Sequence, residues 1–250
     1  MPKLKKTPNQ LRAEYGDMWT YNLTPPELEK PGTVTARITD AKTKRGEIMI
    51  YGAIGMDWFG DGITANSFAK ELKSLGKVDV IDLRINSEGG AVHDARAIYT
   101  LLVQHGAKIE VHIDALAASA ATFIAMAGDK ITIAESGMFM IHNAQMIARG
   151  GAEDFDAAAV FLRTINRTIL DTYTARTGAK AEQIKKWMDA ETWFTGDEAL
   201  DAGFVTDIVR NKTKDEAKAK AVVSPVWNYT SVPVNLRPNR QKVMALMGKG

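Results

Sequence analysis

The sequence predicts an α/β domain whose sheet is mostly parallel. Three observations indicate this fold class. Runs of β-branched and apolar residues alternate with helix-like runs along the middle of the chain. The helical runs are about 12–16 residues long, the length of a crossover between parallel strands. Glycines end several of the helix-like runs, which is typical of helix C-termini and turns.

The elements follow one another from residue 46 onward. The strands are predicted at 46–54, 78–86, 109–115, 130–136, 138–144 and 204–209. The helices are predicted at 63–76, 91–106, 117–127, 152–176, 181–189 and 196–203. We expect one domain at 33–210, an N-terminal arm at 1–32 and a polar C-terminal tail at 211–250, which opens with the charged run NKTKDEAKAKA.

The composition is that of a globular protein and excludes several kinds of partner and chemistry. With 45% hydrophobic and 25% charged residues, the chain matches an ordinary globular protein, and its net charge of +2 favours neither nucleic acid nor an anionic membrane as a partner. The absence of cysteine excludes disulfides and thiolate chemistry. No apolar run reaches the ~20 residues of a membrane span, and the basic N-terminus lacks the apolar core of a secretory signal. A cytoplasmic location is therefore expected.

Two turns at the carboxyl ends of predicted strands could carry chemistry. In the first, Gly89 and Gly90 precede a helix, where adjacent glycines let backbone N–H groups face a ligand; a plain strand-to-helix turn is the alternative. In the second, Ser119 opens a helix among alanines, so something could approach its backbone closely. Tight helix packing with serine as an N-cap is the alternative there.

One of the four histidines, His142, ends the apolar strand MFMIHNA. A lone histidine can also be a core residue, and no two histidines have metal-ligand spacing, so no metal site is predicted. Considered together, the glycine pair, Ser119, His142 and a later acid provide one candidate for each part of a serine peptidase.

Four segments carry a resemblance to the Clp proteolytic subunits, which are serine peptidases. They are INSEGGAVHDARAIYTLL, DALAASAATFIAMAGDK, FMIHNA and TWFTGDEALDAGFVTDIV, spread over 46–209 in the family's order. The resemblance implies that Ser119 is the nucleophile and His142 the general base. It also implies that the N–H groups of Gly90 and Ala120 form the oxyanion hole.

The acid departs from the family pattern, in which an aspartate stands two residues before the aromatic that corresponds to Trp193. Here that position is Glu191, which we expect to be the acid, with Asp189 as the fallback. The substrate groove is expected along Gly89, Ala91, Ala144, Gly150 and Gly151. An extended peptide would bind there as an added strand.

The resemblance further implies a crotonase-like spiral of ββα units with a protruding helical handle within 152–176. Family members assemble into homo-oligomeric rings, commonly of seven subunits, which can stack face to face. Glu88 stands where the housekeeping subunits have a proline before the glycine pair, and Asn143-Ala144 stands where they have a residue followed by proline after the histidine. The segment ETWFTGDEA is similar to that of phage head-maturation (prohead) proteases, which cut scaffold and capsid proteins. That comparison implies a host cytoplasm or a prohead as the location.

Other functions remain open at this point. The chain could be a proteolytic subunit that works with a Clp ATPase. It has no ATP-binding G-x-x-x-x-G-K-[ST] motif, so a partner would have to supply ATP-driven unfolding of the substrate. It could also be an acyl-CoA enzyme of the crotonase type, or an inactive ring protein used in assembly. No cofactor is predicted for the peptidase.

Overall fold

Eight strands form one sheet in the computed structural model, which describes residues 32–55 and 62–210. The strands are β1 (Thr33–Asp40), β2 (Arg45–Tyr51), β3 (Val80–Ser87), β4 (Lys108–Ala118), β5 (Lys130–Ala134), β6 (Met138–Ile141), β7 (Thr192–Thr195) and β8 (Asp207–Val209). The helices are α1 (Ala65–Ser74), α2 (Val92–Gln104), α3 (Ala120–Ala125), α4 (Ala152–Thr177), α5 (Ala181–Asp189) and α6 (Gly196–Asp201). The arm and the tail predicted at 1–32 and 211–250 lie, apart from Gly32, outside the described residues.

The sheet is mostly parallel, as predicted. Its strand order is β1-β2-β3-β4-β5-β8, and every neighbouring pair from β2 to β8 is parallel. β1 is antiparallel to β2, while β6 pairs with β4 in parallel and with β7 in antiparallel fashion. The α/β fold class is confirmed.

The long strand β4 divides its pairing between two neighbours. Its first half, Glu110–Ile113, pairs with β5, and its last residues, Leu116–Ala118, pair with β6. β4 and β6 therefore end side by side, and the residues that follow them are brought together.

The core forms where isoleucine- and leucine-rich strands meet the helices. α3 is buried along its whole length, and half of its six residues are alanine, so it lies close against the sheet. The C-terminal half of α4 packs on this core through Ile165, Ile169 and Tyr173. The N-terminal half of α4 leaves Phe155, Val160 and Phe161 exposed.

The sequence analysis did not predict two of the strands, β1 and β7. β1 is an edge strand whose side chains are mostly exposed, so the run TVTARITD carries little apolar signal. β7 is four residues long and is held by its antiparallel pairing with β6. In the part of the chain described here, no helix combines the length and the apolar character needed to cross a membrane.

Candidate active site

Ser119 lies at the junction of β4 and α3. Its backbone has φ 54° and ψ −123°, a region that costs a non-glycine residue about 1–3 kcal/mol. Its N–H donates to the carbonyl oxygen of Met140 on β6 at 2.9 Å. As the N-cap residue of α3, Ser119 makes no side-chain cap hydrogen bond, so its Oγ points elsewhere.

The glycine pair lies directly against this turn. Gly89 has φ 96°, and a Cβ there would come within 2.8 Å of both the Ser119 Cβ and the Ala120 nitrogen. Gly90 has φ 139°, and a Cβ there would lie 2.0 Å from the Ile54 carbonyl oxygen. The turn is therefore restricted to glycine by close approach as well as by dihedral angle.

His142 follows β6, beside the end of β4. Its Nε2 lies 2.7 Å from the Ser119 Oγ, a normal hydrogen-bond distance. If the ring carries its proton on Nδ1, Nε2 accepts the Ser119 hydroxyl hydrogen. The structure thus brings together the predicted nucleophile and the predicted base.

Strand register brings Glu191 to the same place. Ile141 on β6 pairs with Thr192 on β7, so the next residues outward, His142 and Glu191, face each other. The Glu191 Oε2 lies 3.7 Å from the His142 Nδ1, which has no hydrogen bond among the described residues. The indole N–H of Trp193 points to the other carboxylate oxygen at 3.4 Å. Glu191 also has φ 46°, in the left-handed region.

Asp189, the fallback acid, makes other contacts. It accepts hydrogen bonds from the Lys185 Nζ at 2.5 Å and from the Asn143 Nδ2 at 2.9 Å. These bonds lower the pKa of the exposed Asp189 carboxyl. Glu191, not Asp189, faces the His142 ring.

Burial sets the protonation of His142. It lowers the pKa of the imidazole below its ordinary value of 6.5, and the nearby Glu191 carboxylate offsets part of this effect. The ring is therefore predominantly neutral at neutral pH, which is the form that can accept a proton.

A small cavity of about 20 Å³ adjoins Ser119 and His142. Apart from Ser119 and His142, its walls are aliphatic and aromatic side chains. They are formed by Val92, Ala95, Ala120, Phe123, Ala144, Ile169 and Tyr173. A group that enters this cavity lies beside Ser119 and His142 and meets mostly apolar side chains on the other sides.

The predicted groove residues occupy two places. Gly89 and Ala144 lie near the serine, since Gly89 touches its turn and Ala144 lines the cavity. Ala91 follows the glycine pair and donates its N–H to the Ile54 carbonyl oxygen. Gly150 and Gly151 lie at the start of α4, where the Gly151 N–H donates to Asp154. These two glycines do not line the cavity.

Sequence patterns missed several supporting residues. Asn166 on α4 accepts a hydrogen bond from the Ala144 N–H at 2.7 Å and so fixes the segment after His142. Tyr173, seven residues later on the same helix, forms a hydrogen bond between its hydroxyl and that of Thr122. The helical spacing of Asn166, Ile169 and Tyr173 is the signal that could have assigned one face of α4 to this site.

The other histidines have structural contacts. The His93 ring lies 6.1 Å from Phe161, and the His105 Nδ1 accepts the Ala107 N–H. His112 is grouped with Asp82 and Glu110 at distances that a metal ion could bridge.

A cation already lies in that group. The Arg45 guanidinium forms ion pairs with Asp82 at 2.5 Å and with Glu110 at 3.0 Å. The His112 ring is held between Asp82 and Thr132, at 3.0 Å from each. The Lys108 ammonium lies 2.8 Å from Glu110, so two cations balance the two carboxylates and account for the group without a metal.

Comparisons with known proteins show which family the chain resembles. The sequence model of the Clp protease family matches residues 33–212. The proteolytic subunit of an ATP-dependent Clp protease from Porphyromonas gingivalis is 28% identical over 160 residues, which is 62% of this chain and 72% of that protein. Proteolytic subunit 2 from Thermobifida fusca is 31% identical over 156 residues, 60% of this chain and 77% of that protein.

A solved structure is similar as well. A mutant of ClpP1 from Listeria monocytogenes superposes with a TM-score of 0.59 at 26% identity, and the match covers 68% of this chain and 94% of that one. The family match covers most of the described residues, including Ser119, His142 and Glu191. The chain therefore belongs to the Clp protease family.

Proposed function

We propose that this chain is a serine endopeptidase that cleaves peptide bonds through an acyl-enzyme. The observation that carries the proposal is the 2.7 Å contact between the Ser119 Oγ and the Nε2 of a partly buried, neutral His142. In the proposed reaction, Nε2 takes the hydroxyl proton as Oγ attacks the substrate carbonyl, and the same proton passes to the leaving amine. Water then hydrolyses the acyl-enzyme.

Glu191 is the proposed acid that orients the imidazole and stabilises its charged form. Its 3.7 Å separation from Nδ1 is longer than a hydrogen bond, and such contacts often tighten when substrate binds. The N–H groups of Gly90 and Ala120 are the proposed oxyanion donors. Within the described chain, no backbone hydrogen bond uses either group.

Labelling with a fluorophosphonate probe tests the proposal. We expect one covalent adduct per chain, located on Ser119 by peptide mass spectrometry. A folded protein that stays unlabelled would overturn the function, and acyl-CoA binding without labelling would favour the crotonase alternative. That alternative needs no serine–histidine pair.

For the biological role, we propose head maturation in a phage, with scaffold or capsid protein as substrate. Support comes from the sequence: Glu88 and Asn143-Ala144 depart from the housekeeping subunits, and ETWFTGDEA is similar to the phage relatives. This role places the enzyme in a host cytoplasm or a prohead. Cleavage of a folded scaffold protein without ATP is the expected result.

A Clp ATPase partner is the second candidate. The similar proteins from Porphyromonas gingivalis and Thermobifida fusca are named as proteolytic subunits of ATP-dependent Clp proteases. This role predicts degradation of a folded reporter only when a Clp ATPase and ATP are added. The two assays in parallel separate the candidates.

We also propose a homo-oligomeric ring, of seven subunits or as a stacked double ring. The exposed apolar side chains of α4 support it, since Phe155, Val160 and Phe161 would be covered in such an assembly. We expect native mass spectrometry to give a mass of at least seven chains. A monomer of 27.4 kDa at assay concentration would contradict the ring.

The pH dependence of activity follows from the environment of His142. Since only the neutral imidazole accepts the serine proton, kcat/KM should rise with pH through an apparent pKa below 6.5 and be flat at neutral pH. Glu191→Gln should move this limb to still lower pH, because the carboxylate raises the pKa. Peptide hydrolysis measured from about pH 5 to about pH 8 checks both points. A limb centred above neutral pH would contradict them.

Gly90→Ala should damage the proposed oxyanion hole. The new Cβ would lie 2.0 Å from the Ile54 carbonyl oxygen, so the peptide that carries the Gly90 N–H must move. We expect kcat to fall by about 10²–10³-fold, the usual cost of one lost oxyanion donor. Gly106→Ala is the matched control, because a Cβ at Gly106 meets nothing within 4 Å. Equal kcat values in the two variants would remove Gly90 from the oxyanion hole.

A further inference from the structure

A chain of two buried hydroxyls connects α4 to the backbone of Ser119. The Tyr173 hydroxyl lies 2.7 Å from the Thr122 Oγ1, and Thr122 Oγ1 donates in turn to the Ser119 carbonyl oxygen at 2.5 Å. Thr122 is 0% exposed and Tyr173 is 2% exposed. Because threonine has one hydroxyl hydrogen and gives it to Ser119, Tyr173 must be the donor to Thr122.

The Ser119 peptide is thereby held at several points. Its N–H donates to Met140, and its carbonyl oxygen accepts both the Thr122 N–H at 3.0 Å and the Thr122 hydroxyl. These bonds fix a residue whose φ of 54° is unfavourable for serine. Strained conformations of this kind persist only where the surroundings hold them.

We propose that Thr122 and Tyr173 are positioning residues for the reaction of Ser119. Their hydroxyls hold the carbonyl of Ser119 in the conformation that directs its Oγ at the Nε2 of His142. This inference rests on the proposed peptidase function. Neither hydroxyl touches His142, and neither contributes a proton to the reaction.

The chemistry of Tyr173 suits a fixed donor. Complete burial raises the pKa of its hydroxyl well above the usual value, so Tyr173 keeps its proton at every pH at which the enzyme would be assayed. The Tyr173 ring also packs edge-on against the Phe204 ring, with centroids 5.6 Å apart, a contact that Tyr173→Phe retains. Tyr173→Phe therefore tests the hydrogen bond separately from the packing.

The experiment compares three variants with wild type: Tyr173→Phe, Thr122→Val and Thr122→Ser. Thr122→Val keeps the shape and loses the hydroxyl, while Thr122→Ser keeps the hydroxyl. The readouts are kcat and KM for a fluorogenic peptide and the rate of fluorophosphonate labelling at Ser119. Tyr99→Phe is the matched control, since the Tyr99 ring packs on Phe123 of the same helix α3, with ring centroids 5.0 Å apart.

We expect Thr122→Val to lower kcat and the labelling rate by roughly 10–100-fold, the range expected when a reacting atom shifts by up to about 1 Å. KM should stay within about twofold and the acid limb of the pH profile should not move, because neither substrate binding nor His142 is altered. Tyr173→Phe should show a smaller loss of the same kind. Thr122→Ser should restore the rate, and Thr122→Val combined with Tyr173→Phe should be no slower than Thr122→Val alone.

Two outcomes separate this inference from the function it rests on. An unlabelled wild type overturns the peptidase and this inference with it. If the wild type is labelled but Tyr173→Phe and Thr122→Val keep its kcat and labelling rate, this inference alone is overturned. The same holds if Thr122→Ser is as slow as Thr122→Val. If Thr122→Val does not fold, as judged by thermal unfolding, Tyr173→Phe decides, since it removes a single atom.

Discussion

Ser119→Ala should reduce peptide hydrolysis by about 10⁶-fold, the loss typical when a triad nucleophile is removed. Alanine has no hydroxyl to attack the substrate carbonyl, while the glycine turn and the cavity beside it remain. KM should change little, and the thermal unfolding midpoint should not fall. Steady-state hydrolysis of a fluorogenic peptide, with burst titration of active sites, measures the effect.

Ser136→Ala is the control for this substitution, because Ser136 is an exposed serine in the turn between β5 and β6. It should retain full activity. If Ser119→Ala kept more than about a hundredth of the rate, a different residue would be the nucleophile. Scaffold cleavage by wild type and by Ser119→Ala, compared side by side, separates the enzyme from an inactive ring protein, because an inactive ring protein cleaves in neither form.

Glu191→Gln should cost about 10³–10⁴ in kcat. The amide has the shape of the carboxylate but not its charge, so it can neither stabilise the imidazolium nor enforce the tautomer with a proton on Nδ1. Asp189→Asn is the matched control. It lies two residues earlier, its contacts are with Asn143 and Lys185, and it should keep near wild-type kcat. A large loss of kcat in Asp189→Asn with near wild-type kcat in Glu191→Gln would instead identify Asp189 as the acid.

Much of the fold could be predicted from periodicity. Alternating strands and helices identified the parallel sheet, because β2 to β5 carry buried apolar residues at regular positions and each is followed by a glycine turn or a helix. β1 could not be found in this way, since its stability comes from pairing with β2 and its side chains remain largely in water. β7 is too short to have a period.

The site was less accessible to sequence reasoning. Ser119 and His142 could be named from their motifs, but their proximity depends on β4 leaving β5 and pairing with β6. That change of partner has no signature in the run IEVHIDALAA. The position of Glu191 depends on the β6–β7 register, and the Tyr173–Thr122 bond joins residues 51 positions apart. Such contacts are products of tertiary structure.

The backbone of the site has a thermodynamic consequence. Ser119 and Glu191 both have positive φ values, 54° and 46°, which glycine adopts without the steric cost that a Cβ brings. Each costs about 1–3 kcal/mol, a substantial part of the 5–15 kcal/mol that holds an ordinary domain together. Glycine at these positions would remove the Ser119 hydroxyl and the Glu191 carboxylate, so the proposed chemistry requires side chains in a conformation that disfavours them.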